Sequence, residues 1–463
     1  MANISIINRS NLQGRQRLDA EYYHPTFIRQ DDILSRKNPL TIFTISHSIR
    51  SFGAYSLMNQ VYYKETGIPF LRGIDIKEGY ADFSHVIYID ENSHELLWKS
   101  EVTEGQVLLA MSGSVGNATV ACPTWKYPVN SSQDLAKITL KDGYDPYYVA
   151  TFLNSKYGRF QTERLPVGSI QQHVFLWQIS SIKIPFFRHL SDRISVITRR
   201  AIEKLENSLD LYQQAEQFIL AELGLQNWKP TRALTYVRSY SQAAKAQRID
   251  AEHFHPKYDE LREHIRRYPN GFLRITDIAT NSDETVEPNV HAEDDYRYIE
   301  LADINQVIGT IESANEIKGK NAPSRARMLL RAGDVIASTV EGSLDKVALV
   351  SEDYHGAIGS TGFFVLRPRT VQSGYLLALV KSMIVREQMR CEASGTILAA
   401  VPSKSLQNII VPNIPFEKRN EIAQLVEESH TARREAKALL KKAKRAVEIA
   451  IEEGEESALA FIG

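Results

Sequence analysis

The chain has 463 residues, of which 43% are hydrophobic and 24% are charged, a balance typical of a globular protein with roughly two to four domains. A formal net charge of −1 removes the argument for nucleic-acid binding that a basic chain would give. The sequence shows no apolar run that could cross a bilayer, no signal-peptide layout and no CxxC pair, so a reducing cytoplasm is the expected location.

A nine-residue motif near the N-terminus returns half a chain later. Arg17-Leu-Asp-Ala-Glu-Tyr-Tyr-His-Pro25 recurs as Arg248-Ile-Asp-Ala-Glu-His-Phe-His-Pro256, with six of nine positions identical. We refer to these stretches as the first and second repeat motifs. A recurrence of this length indicates an internal duplication. The half-chain separation predicts two copies of one domain and not an array of short units.

The first globular unit, at 26–187, is predicted to be mixed, with strands dominant. Short apolar runs bounded by Gly and polar residues are typical of buried strands, and Gly/Ser-rich stretches are typical of loops. The predicted elements are strands at Ile68–Ile76 and Gln106–Ala110, a loop at Met111–Asn117, a helix at Tyr147–Phe160 and a strand at Ile182–Pro185.

The second globular unit, at 256–414, repeats this order at a nearly constant offset. The matching elements are Tyr298–Ile304, Gly333–Ala337, the loop Ser338–Leu344, Gly395-Thr-Ile (matching Gly168-Ser-Ile) and Ile409–Pro412. The residues between these elements do not match. The sequence therefore predicts one scaffold that carries two different surfaces.

A long helix is predicted after each unit, because apolar residues follow the alternating three-and-four spacing of a coiled-coil seam. The first seam comprises Ile202, Leu205, Leu209, Tyr212, Glu216, Ile219 and Leu223, before Gly224 and Pro230. The second comprises Ile422, Leu425, Ser429, Ala432, Ala436, Leu439, Ala443, Ala446 and Ala450. A helix of about 30 residues is about 45 Å long, suitable as a spacer.

The predicted fold class is mixed α+β. Two pseudo-symmetric globular domains are separated by two long antiparallel helices. The predicted boundaries are an N-terminal arm at 1–25, a first domain at 26–187, a spacer helix with the second repeat motif at 188–255, a second domain at 256–414 and a C-terminal spacer helix at 415–463.

The duplicated order resembles the specificity subunit of type I restriction–modification systems over about residues 15–455. The resemblance is carried by the repeat motif, the Gly-x-Val-[Leu/Ile]-x-Ala strand running into a Gly/Ser loop, the Gly-[Ser/Thr]-Ile element and the closing Ile-x-[Ile/Val]-Pro. It implies a non-catalytic subunit whose two target-recognition domains bind the halves of a split double-stranded DNA target. It also implies two methyltransferase subunits and motor–nuclease restriction subunits as partners, with S-adenosylmethionine, ATP and Mg expected only in those partners and no metal or cofactor in this chain.

Polar side chains on loops held by a constant scaffold suit base recognition, with Asn and Gln pairing with adenine and Arg with guanine. The candidate DNA-binding residues are Arg72, Ser112, Ser114, Asn117, Gln171 and Gln172 in the first unit, and Ser338, Thr339, Ser343, Lys346 and Thr396 in the second. The expected partner-binding residues are Ile202, Leu205, Leu209, Tyr212, Leu425, Ala432 and Leu439. The near-neutral charge predicts weak DNA binding by the isolated chain.

Other functions are weighed against this one. A related type II specificity subunit, a fused methyltransferase or nuclease, and an assembly scaffold that recognises no sequence stay open. Asp145-Pro-Tyr-Tyr148 resembles an amino-methyltransferase motif, but a helix cap explains it better. Asp303 with Glu316 and Lys318 has the spacing of a nuclease metal site, which the first unit lacks.

Four further features are expected to be structural. His24 and His255 are predicted to cap or pack, since no suitably spaced metal ligands accompany them. Asp19 and Glu21, like Asp250 and Glu252, could act as paired carboxylates. An ion-pair network with Arg17 or Arg248, joining domain to helix, is favoured for them. The Lys441–Arg445 run is predicted to be a solvated helix face, with contact to phosphates as the alternative.

Overall fold

The computed structural model describes residues 6–7, 12, 19–51, 60–165, 173–395 and 398–463. The chain forms two compact units. The first comprises Met1–Leu205 with Arg434–Gly463, and the second comprises Glu206–Arg433. Both boundaries between these units fall inside the long helices, because each unit includes part of each long helix in its packing.

The first unit combines short strands with short helices. Its described strands are β1 (Leu40–Thr41), β2 (Ser46–Arg50), β3 (Tyr63–Lys64), β4 (Ile68–Leu71), β5 (Ile87–Ile89), β6 (Glu101–Val102), β7 (Val107–Ala110), β8 (Ala118–Val120), β9 (Val129–Ser131), β10 (Leu135–Leu140) and β11 (Lys183–Ile184). Its described helices are α1 (Pro25–Ser35), α2 (Ile42–Ile45), α3 (Glu91–Leu96), α4 (Pro146–Asn154), α5 (Lys156–Arg164) and α6 (Leu176–Ser180), before the long α7 (Arg188–Glu222). The strand orders are β2-β10-β7-β8 and β3-β5-β4-β9-β6, and β1 pairs with β11.

The second unit has the same plan. Its described strands are β12 (Phe272–Arg274), β13 (Ala279–Asn281), β14 (Asp295–Ile299), β15 (Ile304–Asn305), β16 (Thr310–Ile311), β17 (Asn315–Lys318), β18 (Ala326–Leu329), β19 (Val335–Ser338), β20 (Val347–Leu349), β21 (Ile358–Ser360), β22 (Phe363–Pro368) and β23 (Ile410–Pro412). Its helices are α8 (Tyr240–Ala246), α9 (Pro256–Arg266), α10 (Ile275–Ile278), α11 (Ser373–Lys381), α12 (Met383–Glu392) and the start of α13 (Phe416–Glu452); α14 (Glu455–Ile462) belongs to the first unit. The strand orders are β13-β22-β19-β20-β16-β15 and β17-β14-β21-β18, and β12 pairs with β23.

Each unit is layered around a buried central strand. In the first unit all four residues of β7 are buried. Val107 and Leu109 belong to the same core as α4, while Leu108 and Ala110 pack with Leu71 towards the other sheet. In the second unit Val335 and Ala337 of β19 pack with α11, and Ile336 packs in the other core. This shared plan confirms the predicted mixed fold class with a duplicated unit.

The long helices run antiparallel within each unit. In the first, Lys204 forms an ion pair with Glu435, and the carboxylate of Glu455 accepts hydrogen bonds from the backbone of His189 and Leu190 at the start of α7. In the second, Ser208 lies against Ser429, and Glu222 forms an ion pair with Lys418.

The predicted α7 seam is wrong at two positions, Leu209 and Glu216, while the other predicted residues are buried: Ile202, Leu205, Tyr212, Ile219 and Leu223. Ser208 and Ala215 are fully buried, whereas Leu209 is 41% exposed and Glu216 lies beside the seam. Ser208 is buried because α7 and α13 approach each other closely at this point, where the Ser429 hydroxyl donates to the Ser208 carbonyl at 2.6 Å. In α13 the predicted residues Ile422, Ser429, Ala432, Ala436, Ala443, Ala446 and Ala450 are buried, while Leu425 and Leu439 are half-buried.

The predicted helix at Tyr147–Phe160 is two helices, α4 and α5. Ser155 takes an extended conformation between them, and its hydroxyl donates to the Phe152 carbonyl. Gly158 permits this sharp break, because a Cβ there would lie 2.3 Å from the Phe152 carbonyl oxygen.

Helix α4 begins with a cap that is open to a direct test. One oxygen of Asp145 accepts hydrogen bonds from the backbone N–H groups of Tyr147 and Tyr148, at 2.8 and 3.2 Å, ahead of Pro146. Replacing Asp145 by Ala should lower the free energy of unfolding by about 1 kcal/mol, because two backbone donors lose their partner. Urea unfolding would measure this loss. The exposed Asp142→Ala is the matched control, and equal stability of the two variants would contradict the capping role.

Candidate nucleic-acid interface

The first candidate loop follows β7 and is held by its own side chains. The amide nitrogen of Asn117 donates to the Ile76 carbonyl at 2.9 Å, and its oxygen accepts from Arg159. Ser112 is only 5% exposed, while Ser114 is half-buried. Gly116 lies at φ 82°, where a Cβ would meet the Thr162 hydroxyl at 2.4 Å. Both functional ends of Asn117 are therefore engaged in shaping the loop.

The second candidate loop, after β19, is built similarly. Ser338 is fully buried, and its hydroxyl lies 2.9 Å from that of Ser343. The Thr339 hydroxyl donates to the Gly362 carbonyl at 3.1 Å, and the Lys346 ammonium donates to the Ile304 carbonyl at 3.1 Å. Glu341 is half-buried on the same loop. The hydrogen bonds of these side chains hold the loop in its conformation. The side chains that are only half-buried remain partly accessible to solvent.

Each loop pairs with a segment that returns from far along the chain. The backbone N–H of Val174 donates to the Met111 carbonyl at 3.0 Å, and that of Val401 donates to the Thr339 carbonyl at 2.8 Å. Each candidate loop therefore has a neighbouring segment that follows a candidate stretch of the sequence, 168–172 in the first unit and 395–397 in the second. Gln171, Gln172 and Thr396 lie outside the described residues.

Arg72 lies at the end of β4 with its guanidinium occupied. It bonds both oxygens of Asp75 at 2.9 and 3.0 Å and donates to the His85 carbonyl at 3.0 Å. The hydrogen bonds that Arg72 donates to Asp75 raise the pKa of Arg72. Its side chain is 36% exposed. Contact with a guanine would require the guanidinium to exchange the Asp75 carboxylate for the base.

Exposed side chains beside the loops were missed by the sequence analysis. Phe175 and Trp177, just after Val174, are 43% and 63% exposed, and the His173 ring packs edge-on against Phe175. In the second unit Leu398 is 59% exposed and Lys404 is also exposed. Aromatic residues usually predict a core. Only the pairing of the returning segment with the loop identifies these positions.

The second repeat motif is an anchor for the end of α12. Arg248 pairs with Asp250 through two nitrogens, at 2.8 and 3.0 Å, and donates to the carbonyls of Cys391, Glu392 and Ala393. Glu252 accepts from Lys257 and from the Tyr258 hydroxyl. The predicted ion-pair role is present here, but its target is α12 and not a long helix.

The first repeat motif is attached to the end of α5 through Arg164. Arg164 at the end of α5 donates to the Tyr22 carbonyl at 2.6 Å, and its guanidinium lies 4.0 Å from the Tyr22 ring centroid. Asp19 and Glu21 are described, whereas Arg17 lies outside the described residues. The predicted histidine role is confirmed in both motifs, since His24 and His255 accept from the N–H groups of Thr26 and Lys257 and so cap α1 and α9.

Asp303 and Lys318, two of the residues with the spacing of a nuclease metal site, have structural partners. Asp303 accepts from the backbone of Glu300 and from the Ser313 hydroxyl, while Lys318 pairs with Asp295. Among the described residues, the group that could hold a metal is His253, Cys391 and Glu392. Arg262 donates to both Cys391 and Glu392, and burial raises the pKa of the Cys391 thiol to about 11. Both features oppose a bound cation.

Most cationic side chains of the Lys441–Arg445 run form ion pairs or hydrogen bonds. Lys444 pairs with Glu78, Arg445 pairs with Glu448 and Glu452, and Lys442 donates to the Ile462 carbonyl. Lys441 is exposed. The predicted solvated face therefore holds only in part, because most of these cations stabilise contacts within the first unit.

No protein-family model matches the chain, and no curated protein matches it. Solved structures do match. The HsdS subunit from Thermoanaerobacter tengcongensis is 29% identical over 40% of this chain and 47% of its own length, about half of that protein, with a TM-score of 0.32. The type I restriction–modification S subunit from M. genitalium is 14% identical over 89% of this chain and 94% of its own, with a TM-score of 0.40.

A third match comes from work on complex assembly and conformational transition of the type I restriction–modification system. It is 14% identical over 90% of this chain and 97% of its own, with a TM-score of 0.30. Two of these three solved structures are S subunits of type I systems. The type IIG restriction endonuclease BpuSI also matches, at 11% identity over 40% of this chain and 29% of its own, with a TM-score of 0.29. No described helix is long and apolar enough to span a membrane.

Proposed function

We propose that this chain is the specificity subunit of a type I restriction–modification system. The observation that carries the proposal is the duplicated unit. Each copy presents a loop after an equivalent buried strand, β7 or β19, and pairs it with a returning segment. Two equivalent units suit a DNA target with two halves, because each can bind one half.

The proposed division of labour leaves catalysis to partners. The chain would direct two methyltransferase subunits to the target, and restriction subunits would join them in the cytoplasm. S-adenosylmethionine, ATP and Mg would be bound by those partners. The proposed contacts in the first unit are Arg72 and Ser114 with the neighbouring Phe175 and Trp177, while Asn117 would hold the loop in shape. Those in the second unit are Thr339, Ser343, Lys346 and Lys404. Ser112 and Ser338 would position these loops, since both are buried.

Methylome sequencing tests the proposal. Cells expressing this chain with the methyltransferase encoded beside it should gain methyladenine at a motif of two short halves with a fixed gap. Replacing residues 26–187 by the equivalent segment of another specificity subunit should change one half and leave the other. Methylation at a continuous motif, or none although the methyltransferase co-purifies, would contradict sequence recognition by two units and favour an assembly scaffold.

A further inference from the structure

The first unit contains a cleft that DNA recognition does not require. Its volume is about 410 Å³, within the range of small-molecule sites. We call it the lysine-rimmed cleft. It is lined by Lys77, Glu78, Gly79, Tyr80, Val120, Ala150, Thr151, Asn154, Thr198, Ile202, Lys437, Leu440, Lys441 and Lys444.

The floor of the cleft offers a ligand mainly hydrocarbon surface. Ala150 and Ile202 supply hydrocarbon surface. Asn154 bonds both the N–H and the carbonyl of Ala118, at 3.0 and 2.7 Å. Thr151 bonds Thr198 at 2.9 Å. Because these polar groups already have partners, the floor favours a flat apolar body over a strongly polar one.

The rim is positively charged. Among the residues that line the cleft, Lys77, Lys437, Lys441 and Lys444 are cationic and Glu78 is the one carboxylate. Burial alone would raise the pKa of Glu78, but Lys444 and Arg159 outweigh it and hold that pKa below its usual value. Glu78 is thus ionised and neutralises part of the rim. The remaining positive charge favours an anionic ligand.

The second unit fills the equivalent positions with larger side chains. Helices α4 and α11 each have nine residues, and a serine, Ser155 or Ser382, follows each. This alignment matches Ala150 with Leu377 and Asn154 with Lys381. The matched starts of α7 and α13, with Ile194 and Ile422 both fully buried, pair Ile202 with His430 and Leu440 with Tyr212.

These larger side chains are buried and well packed. Tyr212 is 2% exposed, and the Lys381 ammonium lies 5.0 Å from its ring centroid while donating to the Gln306 carbonyl. The His430 ring nitrogen lies 2.7 Å from the Ile308 carbonyl oxygen. Leu377 approaches Gly309 so closely that a Cβ there would lie 2.8 Å from a Leu377 methyl. In the second unit, a phenol ring, an imidazole and an ammonium thus fill the space that is open in the first unit.

We propose that the lysine-rimmed cleft binds a small planar anion, an aromatic ring system that carries a phosphate, of the class of a nucleoside monophosphate. The ring would take the place that the Tyr212 phenol and the His430 imidazole fill in the second unit. The phosphate would lie at the rim near Lys441, which is exposed. The cleft adjoins the first candidate loop, since Arg159 bonds both Glu78 of the rim and Asn117 of the loop, but the proposal does not rest on DNA recognition by that loop.

Isothermal titration of the full chain tests the proposal, with adenosine monophosphate as the probe. One equivalent should bind with a Kd on the order of 10–100 μM, within the affinity expected for a ligand of this size. Adenosine and inorganic phosphate should each bind at least tenfold more weakly, because each supplies half of the recognised features. Absence of binding by adenosine monophosphate at 1 mM, about tenfold above that range, would overturn the proposal.

Variants locate the binding. Ala150→Leu with Asn154→Lys imports the side chains of the second unit and should weaken binding at least tenfold. Lys441→Glu should weaken the binding of adenosine monophosphate at least fivefold and leave the binding of adenosine unchanged. This variant provides a test even if the double variant fails to fold. Lys245→Glu, at a distant helix, is the matched control. Unchanged affinity in folded Ala150→Leu/Asn154→Lys or in Lys441→Glu would place the ligand elsewhere and overturn the assignment.

Discussion

Replacing Lys137 by Met is expected to raise the free energy of unfolding of the first unit at pH 7 by about 2 kcal/mol. Lys137 lies on β10 and is 2% exposed, and its ammonium donates to the Ser131 hydroxyl at 3.1 Å. Burial, with the neighbouring Arg50, lowers the pKa of Lys137 from 10.5 to about 8. A shift of that size corresponds to about 3 kcal/mol. Loss of the Ser131 hydrogen bond offsets about 1 kcal/mol of the gain.

The sign of the pH dependence follows from the lowered pKa. Below about pH 8 both folded and unfolded Lys137 are protonated, and the cost of the buried charge is fully present. Between about pH 8 and 10.5 the unfolded chain binds the proton and the folded chain does not, so stability rises with pH. Lys137→Met should remove this rise from the first unit. Lys381, whose pKa burial lowers to about 8, should produce a similar rise in the second.

Urea-dependent hydrogen exchange read by mass spectrometry would measure this prediction, because peptides from β10 and from β22 report the two units separately. Lys141→Met is the matched control, since Lys141 lies just beyond the same strand and is exposed. It should change stability by less than about 0.5 kcal/mol. A loss of stability in Lys137→Met would contradict the prediction, because it would show that the interactions of the ammonium stabilise the fold by more than the free-energy cost of burying its charge.

Replacing Arg248 by Ala is expected to destabilise the second unit by about 2–3 kcal/mol. The substitution leaves Asp250 without its paired cation and removes the donor from three carbonyls at the end of α12, the shortest bond being 2.7 Å to Ala393. Hydrogen bonds from a charged group contribute about 1.5–3 kcal/mol. Arg248→Lys keeps the charge but loses the planar fork, so an intermediate loss is expected.

Chemical denaturation of the two Arg248 variants beside Arg267→Ala would measure the effect. Arg267 is 76% exposed and pairs with Glu263 one turn away on its helix. That pair should contribute less than about 0.5 kcal/mol. Similar stabilities for Arg248→Ala and Arg267→Ala would mean that the second repeat motif does not anchor α12.

The sequence was sufficient for the framework of the fold. The apolar run at Val107–Ala110 and its counterpart at Val335–Ser338 are buried strands, and both loops follow where Gly and Ser cluster. The caps at His24, His255 and Asp145 were also predictable. All of these depend on neighbours within a few residues, so the local pattern contains the information.

The missed features depend on distant residues. Composition predicts Ser112 and Ser338 to be exposed loop residues, yet both are buried, Ser338 as the last residue of β19. Leu209 is apolar and exposed while Ser208 is buried, because Ser429 on the other helix sets the register. The cleft was likewise invisible, since its floor joins α4 to both long helices.

The two units are nested in the sequence, and this has a consequence for synthesis on the ribosome. The second unit is one continuous stretch, complete once Arg433 has emerged. The first unit includes Ala443, Val447, Ile451 and Ile462 in its core, so its N-terminal part must wait for the last residues before its packing closes. The later-encoded unit is therefore expected to finish folding first, while the earlier one exposes the apolar surface that these residues will cover.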